Sequence, residues 1–238
     1  MTRVLILAAM DIEYQFLYES LENIEERHIT PWLMGHDGYL SGIFVTIMKM
    51  GIAKVNAAVV TGLALQSHDY DLVINTGVAG GIDTALEVGD VVMSDMVTYH
   101  DVDVRAFGYV LGQIPGADPI FHSPNRRFLS NYMRGLDCER EYQVVSGLIV
   151  SGDQFIGSAE QLHQIHQNFP SALAVEMEGA AVAHVATLFE VPFVVVRAIS
   201  DKADGQAPMT YEEFLELASR RSSQIVRELL DVASQKSS

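Results

Sequence analysis

A single cysteine, Cys138, leaves this chain of 238 residues no internal disulfide and excludes a disulfide-framed secreted scaffold. Basic residues are also scarce, at 15 against 31 acidic ones, and the formal net charge of −16 repels phosphate backbones and anionic lipid. Neither nucleic acid nor a membrane surface is an expected partner. Charged residues of both signs make up only 19%, below the ~25% usual in globular proteins. The apolar share of 49% suits strands covered on both faces. The apolar run at the start, VLILAAM, stops at Asp11, well short of the ~20 residues that cross a bilayer. The start also lacks a charged, apolar and cleavable signal, and a cytoplasmic protein is expected. With no linker-like composition break and no internal repeat, the expectation is one domain over 1–233 and a frayed tail over 234–238.

Unbroken Val and Ile runs predict strands at Val4 to Ala9, Phe44 to Met48, Leu72 to Thr76, Val91 to Met96, Val144 to Val150, Leu173 to Met177 and Phe193 to Ile199. Helical spacing marks Ile12 to Leu21, Lys54 to Gln66, Arg126 to Met133, Ala159 to Asn168, Ala180 to Phe189 and Tyr211 to Val232. Thr210 with Glu213 and Ser158 with Gln161 match capping boxes, and Ser123 before Pro124 reads as another helix start. Thr30 to Gly42 reads as a hairpin with its turn at Gly35 to Gly38. His100 to Asn125 has little periodicity and is expected to be a functional or mobile loop. Alternating strands and helices define an α/β fold.

The acids at strand ends carry the chemistry. Glu178 follows the short apolar run AVEM, and Asp201 closes the run VPFVVVRAIS, so both fall on the sheet edge where α/β folds place a ligand crevice. Glu176 is two residues from Glu178 and shares its face if the strand continues. Either acid alone is better explained structurally, Glu178 as a helix cap and Asp201 as a partner of Arg197. The strand end AAMDIE has no glycines, which disfavours a dinucleotide-binding fold. It brings Asp11 and Glu13 instead; Asp11 reads as a helix-terminal acid, and Glu13 stays open. NTGVAGG, Asn75 to Gly81, lacks the Lys and Ser/Thr of a phosphate loop and reads by default as a turn. In SGDQFIG, Phe155 reads first as a packing anchor. His100, Asp101 and Asp103 find no well-spaced second ligand group, so no metal site is expected, and the histidines read as solvated.

Taken together, AAMDIE, NTGVAGG, YHDVDVRAFGY, GLIVSGDQFI, AVEMEGAAVAHV and VPFVVVRAISD, in this order and spacing, resemble the 5′-methylthioadenosine/S-adenosylhomocysteine nucleosidases of the nucleoside phosphorylase superfamily. The likeness runs from about Val4 to Val232. It implies one α/β domain around a central mixed, partly closed sheet flanked by helices, assembled as a homodimer. It implies hydrolysis of the adenine N-glycosidic bond of adenosine thioethers, with a role in methionine salvage and without metal or cofactor. By the same resemblance Asp201 protonates adenine N7, and Glu13 activates water. Glu178 holds the ribose hydroxyls beside Met177, Phe155 stacks on the base, and the Ile156 backbone reads its edge. Ser200 orients Asp201, Arg197 helps organise the polar side of the site, and Glu176 stands beside Glu178 among the substrate-binding residues. Met10, Ile52 and Tyr211 add apolar lining. Phe107, Tyr109 and Pro115 match a loop that reaches into the partner subunit's site. Two features depart from the family: Val78 stands where many relatives have serine, and the N-terminal hairpin is longer.

Breaking a glycosidic bond needs an acid for the leaving group and a base for water, and the resemblance supplies both. A carboxylic acid donates at neutral pH only when burial or neighbouring carboxylates favour its protonated form. A purine nucleoside phosphorylase is the nearest rival, but phosphate needs a cationic pocket and Asp11 and Glu13 oppose it. A hydrolase for another 5′-substituted adenosine, such as aminodeoxyfutalosine, is a second alternative. A non-catalytic nucleoside sensor is the third, and it has no use for an acid/base pair.

Overall fold

The structure, a computed structural model, describes residues 3–123, 140–203 and 207–234. Strands β1 (Arg3–Ala8), β4 (Ile43–Lys49), β5 (Leu72–Gly81) and β10 (Phe193–Asp201) lie in parallel in the order β4, β1, β5, β10. β6 (Val91–Tyr99) pairs antiparallel with β10 and parallel with β8 (Val144–Ser151). β9 (Ala172–Glu176) then joins β8 to β5, so β10, β6, β8, β9 and β5 close a five-strand ring. β3 (Leu33–Leu40) and β2 (Glu22–Thr30) extend the sheet beyond β4, and the short β7 (Phe121–His122) pairs with β6. The result is a single α/β domain with a mixed, partly closed sheet.

Period-two alternation along β1 shows how the sequence builds two cores. Leu5 and Leu7 pack on one face, with α2 (Lys54–Ser67) and α4 (Gly179–Leu188); Val4 and Ile6 pack on the other, with α1 (Asp11–Tyr18) and α5 (Ala207–Ser234). Both faces of β1 and β10 are covered, which is why these strands read as continuous apolar runs. The remaining helix, α3 (Ala159–Asn168), starts as expected: the Ser158 hydroxyl accepts the Gln161 N–H at 3.3 Å.

Three sequence expectations need correction. Gly35 and Gly38 make no turn; β3 runs through both, and the reversals fall at Pro31–Trp32 and Ser41–Gly42. Gly35 is there for close approach, since a Cβ would strike the Ile47 carbonyl oxygen and the Met48 side chain. The partner strand β2 went unread because ENIEERHIT is polar, as suits an exposed sheet edge. Thr210 is not the helix start, because α5 has already begun at Ala207.

The expected loop from His100 onward holds a 3₁₀ turn, Arg105–Phe107, and then β7. Its last residues, 124 and 125, the predicted helix over 126–133 and the tail residues 235–238 lie outside the described residues. Ser123 is described, and its hydroxyl donates to the Phe193 carbonyl at 2.6 Å. Ser234 still belongs to α5.

Candidate active site

Glu13 sits in the first turn of α1, where backbone N–H groups have no partner within the helix. Its carboxylate turns back to accept the N–H groups of Ala9 and Met10, each at 3.0 Å, and its second oxygen accepts the Val78 N–H from β5 at 3.0 Å. It is only 2% exposed. Burial pushes its pKa up, against the pull of Arg197 and of the three N–H donors. Asp11, by contrast, is exposed and pairs with Lys49 at 2.6 Å, as its helix-terminal reading predicts.

The segment Asn75 to Gly81 is not a turn but the continuation of β5, paired with β10. Gly77 lies opposite Arg197, and a Cβ there would collide with the Arg197 guanidinium and the Glu13 carboxylate. Glycine is what lets those two groups lie across the strand.

Arg197 is fully buried and does not pair with Asp201. Its Nη2 donates to Asn75 Oδ1 at 2.6 Å, to Glu176, and to Glu178 Oε2 at 3.4 Å. Burial works against the cation, but Glu176, Glu178 and Glu13 outweigh it and raise the Arg197 pKa. Removing one member of such a group strands a buried charge. Arg197→Met is expected to cost about 3–5 kcal/mol of folding stability, measured by urea unfolding.

Glu176, the last residue of β9, also takes the Ser151 hydroxyl and the N–H groups of Glu178 (3.0 Å) and Gly179 (2.8 Å), so it caps α4. Glu178 is left facing the cavity, with Oε1 accepting the Ala53 N–H at 2.9 Å. Burial, and then the Glu176 carboxylate, push Glu178 up to about 8. Burial thus favours the protonated form of Glu178 well above the usual carboxylate range. A carboxyl whose pKa is raised on folding binds more protons in the native state between its unfolded and folded pKa values, so its contribution to stability is lost as pH rises through the folded value. Between pH 5 and 8 the melting temperature of the native protein should fall relative to that of Glu178→Gln; parallel curves would contradict the assignment.

Asp201 ends β10 after an irregularity between Ile199 and Asp201, a bulge that re-aims the side chain. It is 2% exposed; Oδ1 accepts the Ala203 N–H at 2.8 Å and Oδ2 the Ser200 hydroxyl at 2.9 Å.

A cavity of about 270 Å³ brings these pieces together. Glu13, Glu176, Glu178, Ser200 and Asp201 line it, with Met10, Ile52, Val78, Phe155, Ile156, Met177 and Tyr211 as its largely apolar wall. Phe155 and Tyr211 meet edge to face at 5.7 Å, and the Tyr211 hydroxyl donates to Met10 Sδ at 3.1 Å. Ala9, Ala79, Gly80, Gln154 and Val175 also line it and were missed, although each adjoins a residue or motif that the sequence singled out. Arg197 stands behind the carboxylates rather than on the wall, and Phe107, Tyr109 and Pro115 lie outside this cavity. No residue of the 22–49 segment reaches the wall, so the β2–β4 strands stay clear of it.

Among the described residues no group of three or more His, Cys, Asp or Glu side chains is placed to hold a metal ion. Asp101 is held by Lys54 and Asp103 by Arg105. His163 and His166 are exposed on α3. His100 is not solvated as expected, because its ring packs against Gly152, where the glycine leaves it room.

Comparison with known proteins identifies the family of this fold. The family model described as "Phosphorylase superfamily" matches residues 3–231, which defines the class. A 5′-methylthioadenosine/S-adenosylhomocysteine nucleosidase of Staphylococcus saprophyticus is 44% identical over 225 residues, covering 94% of this chain and 97% of the relative. The Neisseria meningitidis nucleosidase of the same name, solved in complex with methylthio-immucillin-A, superposes with a TM-score of 0.91 at 39% identity, over 97% of this chain and 99% of that one. The Colwellia psychrerythraea enzyme, solved in complex with adenine, gives 0.92 at 39% identity, over 97% and 95%. The chain belongs to the 5′-methylthioadenosine/S-adenosylhomocysteine nucleosidases, N-glycosyl hydrolases of the phosphorylase superfamily.

Proposed function

We propose that this protein hydrolyses the N-glycosidic bond of 5′-methylthioadenosine and S-adenosylhomocysteine, releasing adenine and the 5-thio-substituted ribose. The observation that carries the reading is the convergence of Glu13, Glu178 and Asp201 on one largely apolar cavity, each buried and each held by a different set of donors.

Asp201, aligned by Ser200 and the Ala203 N–H, gives its proton to adenine N7, and the base departs neutral. Glu13, the buried carboxyl with the raised pKa, takes a proton from water as its oxygen attacks the sugar C1′. Glu178 grips the ribose hydroxyls. Burial beside Glu176 raises its pKa, and in the ionised form its charge stabilises the positive charge that grows on the sugar. Phe155 stacks on the base beside Ile156, while Met10, Ile52, Met177 and Tyr211 surround the sugar and its thioether. Val78 contributes its N–H to Glu13 through the backbone, a contact that does not depend on its side chain.

Phosphorolysis finds no support on the wall. Among the described residues lining the cavity none is Lys or Arg, and Arg197 behind them is committed to Glu176, Glu178 and Asn75. The assembly we propose is a homodimer in which Phe107, Tyr109 and Pro115 close the partner's thioether pocket. Phe107 is 82% exposed, and Ile52 and Phe155 on this chain's own cavity wall are each about half exposed. No helix among the described residues is long and apolar enough to cross a membrane. We place the protein in the cytoplasm on its lone cysteine and its acidity, and the activity in methionine salvage on family resemblance.

The test is adenine release, followed by absorbance, with specificity constants for methylthioadenosine, S-adenosylhomocysteine and 5′-deoxyadenosine side by side. Both thioethers should outrun 5′-deoxyadenosine; no adenine from either would sink the reading, and a strong preference for aminodeoxyfutalosine would move it to the sibling hydrolase.

A further inference from the structure

Lys54, the first residue of α2, is tied to two acidic residues from different loops. Its Nζ lies 2.8 and 2.7 Å from the two carboxylate oxygens of Asp101 and 3.5 Å from Asp153 Oδ2. The backbone closes the arrangement: the Lys54 N–H donates to Asp153 Oδ1 and the Asp153 N–H to Asp101 Oδ2, both at 2.9 Å. Isolated ion pairs on a surface contribute little. This one has mostly buried Lys54 and Asp101 side chains and two backbone donors that fix its geometry.

The residues on either side of this clasp matter. Asp153 directly precedes Gln154, Phe155 and Ile156, all on the cavity wall. On the other side, Ala53 adopts φ 78° and ψ 164°, a backbone conformation that residues with a side chain rarely adopt and that persists only when the surroundings enforce it. That conformation accompanies the Ala53 N–H bond to Glu178 Oε1 at 2.9 Å.

We propose that Lys54 is a positioning residue for both ends of the substrate: with Asp101 and Asp153 it holds Ala53 in its strained conformation, so that the Ala53 N–H orients Glu178, and it anchors the Phe155–Ile156 segment. The assignment of sugar to Glu178 and of base to Phe155 rests on the nucleosidase reading above; the mechanical coupling does not. Burial alone would raise the Asp101 pKa, but Lys54 and the Asp153 N–H outweigh it and hold that carboxyl below its ordinary value.

Four variants test this: Lys54→Met, Lys54→Arg, Ala53→Gly, and Ala53→Gly combined with Lys54→Met. Releasing Ala53 misaligns Glu178, so Lys54→Met should lower kcat about tenfold and raise KM several-fold. Lys54→Arg, which keeps the charge, should restore part of both. Glycine adopts the Ala53 conformation without enforcement. The double variant should therefore recover most of the lost kcat yet keep the raised KM, because Asp153 is still released. Hydrogen exchange of residues 51–56 and 152–156 needs no substrate and should quicken in Lys54→Met. If that variant does not fold, Asp101→Asn removes one arm of the clasp and should change kcat, KM and exchange in the same directions. Unchanged exchange in these segments, or a folded double variant with kcat no better than Lys54→Met, would overturn the proposal. A wild-type protein that released no adenine would overturn the nucleosidase reading instead, and the exchange experiment would still decide the clasp.

Discussion

Asp201→Asn is expected to slow adenine release at least ~100-fold while leaving binding of a substrate analogue largely intact. The substitution is nearly isosteric, and an amide oxygen can still accept the Ala203 N–H that Asp201 Oδ1 accepts at 2.8 Å. What it removes is the proton for adenine N7, without which the base must leave as an anion. A ~100-fold loss corresponds to about 2.7 kcal/mol of transition-state stabilisation. Measured by the absorbance change on adenine release, beside a titration with a non-hydrolysable analogue, the variant should keep its affinity and lose its rate. A variant as fast as wild type would mean that the chain binds nucleosides without doing acid chemistry at Asp201.

Glu13→Gln should be comparably damaging, by about 10²–10⁴-fold in kcat, because an amide cannot take a proton from water. The pH–rate profile supplies a second signature. Burial holds the Glu13 pKa above its ordinary value, so the acid limb of the wild-type profile should lie above the usual carboxylate range and vanish in the residual activity of the variant. A modest loss of stability should accompany it. Glu13 accepts three backbone N–H groups across its two oxygens, whereas glutamine has one accepting oxygen and would set its NH₂ against at least one of those donors. Full activity with an unmoved acid limb would take water activation away from Glu13.

The strands of the ring were legible because β5, β6, β10 and the second half of β8 are largely buried and rich in apolar residues. β2 was not, because an edge strand facing solvent carries no such pattern, and with it went the register that puts Gly35 inside β3. At the site, the acids could be picked out as carboxylates on strand ends, and the family resemblance separated their roles. Their settings could not be read: the Val78 N–H reaches Glu13 across 65 positions of sequence, and Arg197 proves to serve Glu176 and Glu178, not the nearby Asp201. The raised pKa of Glu178 was equally hidden, since it depends on burial beside Glu176 and Arg197, which only the folded chain brings together. Local sequence shows which groups are present, and long-range packing decides what surrounds each of them.

The central claim is that water, activated by Glu13, is the nucleophile at the sugar carbon. The most direct measurement is phosphorus NMR of the products formed from methylthioadenosine with and without phosphate in the buffer. The account predicts the same rate of adenine release in both and no sugar 1-phosphate signal; turnover that requires phosphate and yields a 5-methylthioribose 1-phosphate would contradict it.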